Sequence, residues 1–226
     1  NLDFTGKTLP ESPFFTGTLV GNNCVISGVT SDHPLFASVH SAKDLTIDES
    51  CVFTSTKAGL FAALTAEATG TISNVVNKAA VTLNMTTATD TSIAVAGIVA
   101  VSDASLENCK NFGAVTYTNT AASHGGLVAG LAAYCQGAVS KCENNGKVTM
   151  SVPYLSDFGA VKSISNNPIH IGGLVAYLGA NAPVSECINN GDIDYDITHI
   201  EKIEVSCCTN RPRMGGVVGL TQSSIT

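Results

Sequence analysis

One ten-residue pattern returns four times without a gap, and it constrains the fold of this chain more than any other feature. It reads: an apolar residue, two polar or small ones, Cys or Val, any residue, Asn, any residue, Gly or Ala, any residue, and a closing apolar one. The copies are Ile72-Ser-Asn-Val-Val-Asn-Lys-Ala-Ala-Val81, Leu106-Glu-Asn-Cys-Lys-Asn-Phe-Gly-Ala-Val115, Val139-Ser-Lys-Cys-Glu-Asn-Asn-Gly-Lys-Val148 and Val184-Ser-Glu-Cys-Ile-Asn-Asn-Gly-Asp-Ile193. A shorter pattern precedes each: Ala58-Gly-Leu-Phe-Ala62, Ala96-Gly-Ile-Val-Ala100, Gly125-Gly-Leu-Val-Ala129 and Gly172-Gly-Leu-Val-Ala176, with a last Gly215-Gly-Val-Val-Gly219. The glycines Gly59, Gly97, Gly126, Gly173 and Gly216 lie 38, 29, 47 and 43 residues apart. Motifs of constant length at irregular spacing put the insertions between them, over 82–95, 149–171 and 194–214, as stacked rungs with projecting loops require. The shortest interval, 29 residues, is the expected bare coil. It holds two or three short strands and is too small for a propeller blade of roughly 40–45 residues.

Equivalent positions of a parallel β-helix lie about 4.8 Å apart from coil to coil. Asn77, Asn111, Asn144 and Asn189 are therefore expected to form a ladder of hydrogen-bonded amides at a turn. Ala79, Gly113, Gly146 and Gly191 follow two residues later, where a left-handed backbone would favour glycine. Val75, Cys109, Cys142 and Cys187 form an expected inward column of buried thiols, since cysteine packs as a small apolar residue. Neighbours in such a column point the same way, which suits the disulfide torsion poorly. Beyond each decad, alternation turns Val, Leu, Met and Tyr inward. The outer rows then read Thr82, Thr116, Thr149, Asp194 and Asn84, Thr118, Ser151, Asp196. Phe15 to Ser27, followed by 35–37 and 45–47, reads as two degenerate first coils. The fold expected is all-β: a right-handed parallel β-helix forming one domain over 15–226, with 1–14 as an extended lead-in and cap. Gly216 to Ile225 repeats the interval from Gly97 to Leu106, so Ser224-Ile225-Thr226 reads as the start of a truncated fifth decad in a longer polypeptide.

The Gly-Gly-Leu-Val-Ala and Val-x-x-Cys-x-Asn-x-Gly-x-Val elements, with Phe-x-Gly-Thr-Leu-x-Gly-Asn at 15–22, resemble the GLUG-type β-helix repeats of bacterial surface proteins. The resemblance covers about residues 14–226; the first decad departs from it with Val75 and Ala79 where Cys and Gly are usual. It implies an exported, surface-exposed or extracellular protein similar to the adhesins of gut Bacteroidetes. Such repeats also accompany the catalytic domains of IgA-cleaving metallopeptidases. The repeat itself is a scaffold that carries no shared active site.

Charge and motifs narrow the chemistry. Eleven basic against 18 acidic residues give a net charge of −7, the wrong sign for a phosphate backbone, so no nucleic-acid partner is expected. No run of 18 apolar residues suggests a membrane span. The eight cysteines form no CxxC, and no GxSxG, phosphate-binding or dinucleotide fingerprint occurs. Asp192, Asp194 and Asp196 share one strand face and are the weak surface-binding candidates, for calcium or a sugar. Ile197 and Ile203 replace the Gly and Glu of an EF-hand loop, and a solvated strand edge accounts for the acids equally. His33, His40, His124, His170 and His199 lack metal-ligand spacing and are expected at turns or on the surface. Cys207-Cys208 suits a loop disulfide, with Cys135 or within the pair. With no Trp, sugar-stacking platforms reduce to Tyr134, Tyr154 and Tyr177, expected on loops, while Tyr117 and Tyr195 face inward. No catalytic residue, metal site or cofactor is expected, calcium excepted. The function expected is non-catalytic adhesion, with variable loops meeting a host or matrix protein or glycan. The alternatives are a lyase or glycoside hydrolase of the pectate-lyase type, with those aspartates and Lys147 as the reacting groups, and a structural spacer of a larger surface protein.

Overall fold

A computed structural model describes residues 1–10, 13–87, 91–120, 125–152, 169–180, 182–196 and 213–222. Its strands pair in parallel into three sheets that wrap one elongated core, which makes the chain a parallel β-helix. One face carries Leu60–Ala62, Ala94–Ala96, Leu127–Ala129, His170–Gly172 and Arg213–Gly215, in that spatial order. The chain then bends into a second face through Val99–Ser102, Ala132–Cys135 and Val175–Leu178, and continues there into the decads. The third face stacks Val52–Ser55, Ala80–Met85, Val115–Asn119, Val148–Ser151 and Ile193–Asp196. Upstream, Phe14–Ser27 pairs with Phe36–Ile47, which in turn pairs with the first decad. Leu2 and Asp3 pair with Ile26 and Ser27, and Phe4 and Leu9 pack against the core.

The four decads stack in register: Ile72, Leu106, Val139 and Val184 are successive ladder partners. Each Asn of the ladder hands a side-chain N–H to the next, with Asn77 donating to Asn111, Asn111 to Asn144 and Asn144 to Asn189, all at 2.8 Å. The second N–H of each amide closes its own turn on the carbonyl two residues on, at Ala79, Gly113, Gly146 and Gly191. Asn77, Asn111 and Asn144 are fully buried, so these bonds replace hydration that folding removes. The thiol column forms as well, with Leu45 and Val75 as its earlier members. The amide N–H of Cys109 points to Cys142 Sγ and that of Cys142 to Cys187 Sγ, both at 3.4 Å.

Three expectations change. Gly113, Gly146 and Gly191 do not have a left-handed backbone; a Cβ there would run into the carbonyl oxygen of Ala79, Gly113 or Gly146 in the coil before. Glycine is needed for close stacking, and the left-handed corner falls at the third decad position instead. Asn74, Asn108, Lys141 and Glu186 there have φ of 51°, 50°, 54° and 52°. The short motif also needs a new register. Ladder pairs match Ala62 to Ala96 and Ala96 to Ala129, so the equivalents of Gly97 are Ala63 and Gly130, not Gly59 and Gly126. Gly173 is the counterpart of Gly130, as Gly172 pairs with Ala129. The bare coil is consequently 33 or 34 residues, as the Asn ladder measures it, and not 29.

A small-residue corner explains the decoy. Val95 and Val99 enter the main core, whereas Ala62, Ala94, Ala96, Ala100 and Ala133 form a separate buried cluster. The first two faces meet there at a concave outer bend, and both strands entering it must present small side chains. In the coil of Gly126 to Ala133 a small-Leu-small-Ala pattern is thereby written twice, four residues apart.

The thiols yield a pH prediction. Burial pushes Cys135 up to about 12, and Cys142 reaches about 12 through its hydrogen-bonded neighbour Cys109 and then burial. The folded chain holds these protons more tightly than the unfolded one, so their contribution is intact below about pH 9 and is lost as pH rises towards 12. Native protein treated with iodoacetamide at pH 8 should leave Cys109, Cys135 and Cys142 unmodified, and its denaturation midpoint should fall above pH 9. Labelling at the rate of the denatured chain would contradict this packing.

Candidate functional site

The repeat spends its distinctive residues on itself. The amide N–H bonds of Asn77, Asn111 and Asn144 are all spent along the ladder, the glycines make room for neighbouring backbone, and the thiols of the decads face inward. The two motifs also meet across the coil: a Cβ at Gly97, Gly130 or Gly173 would collide with the side chain of Asn111, Asn144 or Asn189. Functional chemistry must come from the outer rows, the ends of the stack or the insertions.

The third face supplies the outer rows. Thr82, Thr116, Thr149 and Asp194 are successive partners, as are Asn84, Thr118, Ser151 and Asp196. Thr118 donates to Asn84 Oδ1 at 2.6 Å. Asp192, Asp194 and Asp196 all lie exposed along the last strand of this face, and Asp194 Oδ2 is 3.0 Å from Lys147 Nζ. Among the described residues no group of three His, Cys, Asp or Glu is arranged to hold a metal ion. The Lys147–Asp194 pair is about half exposed on both sides, so Asp194→Asn should change stability by less than ~1 kcal/mol. A larger loss in thermal denaturation would give the acidic row a structural role.

The tyrosines need a correction. Tyr134 and Tyr177 stand on strands, not loops, as ladder partners in one column between Val101 and Leu220. Their rings are 5.3 Å apart and half-buried, so each covers the other's face and neither makes a flat sugar platform. His170 is likewise not a surface or turn residue. It is 3% exposed on its strand, with its ring 6.0 Å from that of Tyr177. Its Nδ1 donates to the Ile169 carbonyl at 2.8 Å, and burial holds its pKa below the usual value. Tyr117 is fully buried as expected, and Tyr195 is half-buried. His33 Nδ1 is bonded to the Pro34 carbonyl and His40 Nδ1 to Thr69 Oγ1. Cys135 is a buried free thiol that donates to the Gly137 carbonyl. Tyr154, His124, His199, Cys207, Cys208, Arg211 and the fragment 224–226 lie outside the described residues.

Most of the extra length enters at one corner; two further residues enter between Leu178 and Val184, where the earlier coils run directly from Ser102 to Leu106 and from Cys135 to Val139. The chain leaves the third face at Met85, Asn119, Ser151 and Asp196 and rejoins the first at Ala94, Leu127, His170 and Arg213. The last two connections are much longer than the first two. The described residues contain no helix long and apolar enough to cross a membrane.

Neither a protein-family model nor a curated protein matches the chain. Its fold is similar to the crystal structure of a putative immunoglobulin A1 protease from Bacteroides ovatus. The TM-score is 0.51 at 15% identity, over 90% of this chain and 68% of that one. At that identity the likeness concerns the fold and leaves the activity to be argued from the site.

Proposed function

We propose that the chain is a non-catalytic adhesion scaffold of the GLUG-repeat kind, exported to a bacterial surface, whose insertions meet a host or matrix protein or glycan. The observation that carries this reading is the division of labour within each coil. Motif residues bind coil to coil, while most of the variable length is gathered at the corner between the third and first faces, where loops are free to diverge. Asp196 stands at that corner, with Asp194 and Asp192 further back along the face, so the acids lie beside the contact and the insertions carry it.

The test is solid-phase binding of the chain to mucins, matrix proteins and plant polysaccharides, with and without a calcium chelator. Saturable binding should survive the Asp194→Asn/Asp196→Asn double substitution and be lost when 197–212 is shortened. Depolymerisation of a polysaccharide would replace this reading with an enzymatic one. Absence of binding to every target would leave a structural spacer.

A further inference from the structure

We propose that His170 is an acid-sensitive joint in the stack: on taking up a proton in mild acid it loosens the junction between its own coil and the coil of Arg213, and the decads stay intact. One column of the concave corner runs through Leu60, Ala94, Leu127, His170 and Arg213 as successive ladder partners. Its first three members are apolar, and His170 is buried among them although its ring can titrate. Nδ1 donates to the Ile169 carbonyl, and the neutral ring then keeps its lone pair on Nε2. Acid adds a hydrogen at Nε2, for which no acceptor stands among the described residues.

The charges around the ring all work against the added proton. Tyr177, from the second face, has its ring 6.0 Å away and stays neutral in acid. Arg213, the partner in the next coil, is a permanent cation. Leu127–Ala129, Val148–Ser151 and Val218–Thr221, packed beside the same strand, carry no charged side chain. Asp194 and Asp196, on the neighbouring Ile193–Asp196 strand, alternate with the core-packed Tyr195 and point out of the third face. Among the described residues a protonated His170 therefore meets one cation and no carboxylate. The Tyr177 ring, at the limit of cation–π reach, returns little of the lost hydration.

The sign follows from burial, which with the Arg213 charge holds this imidazole below its ordinary value. A coil that has opened binds the proton more readily than the stacked one. Stability of the junction is thus complete above about pH 6.5 and falls as the pH drops below it. Both long connections rejoin the first face at His170 and Arg213, so the joint lies at the footing of both, whatever the insertions bind.

The test uses the full chain and nuclear magnetic resonance. The His170 Hε1 signal should titrate with a midpoint below the ordinary 6.5. The amides bonding across the junction, Arg213 to Ile169 and Gly173 to Gly215, should exchange about fivefold faster at pH 5.5 than at pH 7.5 once intrinsic rates are divided out. The amides of Leu127 to Ile93 and Asn145 to Asn111, across other junctions, should keep their protection. His170→Phe should abolish the acceleration, and Arg213→Gln, at an exposed position, should raise the midpoint. A midpoint at or above 6.5, equal protection at the two pH values, or an acceleration that His170→Phe retains would overturn the proposal. So would a midpoint indifferent to Arg213→Gln, or an equal loss of protection at every junction.

Discussion

Replacing Asn111 by leucine should unfold the middle of the stack at moderate temperature. The substitution keeps the volume and removes three bonds: those to the Gly113 carbonyl and Asn144 Oδ1, and the one received from Asn77. Each partner is buried and would be left without compensation, at about 1–3 kcal/mol apiece. The total, ~3–9 kcal/mol, is comparable to the whole stability of many domains. Thermal unfolding followed by circular dichroism should move down by roughly 10 °C or more, whereas Asn190→Leu, on the exposed side of the equivalent turn two coils on, should move it little. Equal shifts from the two substitutions would mean that the buried ladder contributes nothing special.

The second large effect comes from adding one methyl group. Gly113→Ala would place its Cβ against the Ala79 carbonyl, and Gly130→Ala against both the Gly173 carbonyl and the Asn144 amide. These neighbours are backbone or ladder atoms held from both sides, so relief requires coils to separate. Each substitution should cost more than ~3 kcal/mol and give largely insoluble protein. Gly216→Ala meets nothing within 4 Å and should express and melt like the parent chain. Soluble yield and melting temperature of the three variants separate the cases; a tolerant Gly113→Ala would mean the coils are further apart than described.

What could be read from the residues follows from how each is used. Asn77, Asn111, Asn144 and Asn189 announce their register because each is its neighbour's bonding partner, and only a primary amide on this short a stem reaches both its own turn and the next coil. The Cys/Val column and the outer Thr and Asp rows follow by alternation from the same anchor. The Gly-Leu-Val-Ala motif misleads because Gly126-Leu127-Val128-Ala129 and Gly130-Leu131-Ala132-Ala133 both satisfy the concave corner. Only the coupling of Gly97 to Asn111 and of Gly130 to Asn144 selects the correct one; that shared interval of 14 residues was in the sequence, but Gly173 to Asn189 breaks it at 16. The left-handed corner was half legible: Asn74 and Asn108 suit it, while Lys141 and Glu186 adopt it because the rungs on either side impose it. The acidic row could be placed but not given a role, since three exposed carboxylates on a strand serve solubility and ligand binding alike.

The stacked ladder is the centre of this account, and the side-chain amides report on it directly. Protein labelled with nitrogen-15 at asparagine alone, with assignments made by single substitutions, permits amide exchange and through-space contacts to be measured at each Nδ2. The account predicts slow exchange at Asn77, Asn111 and Asn144, contacts only between successive members, and faster exchange at Asn189. Uniformly fast exchange, or contacts that skip a coil, would contradict the stacked β-helix.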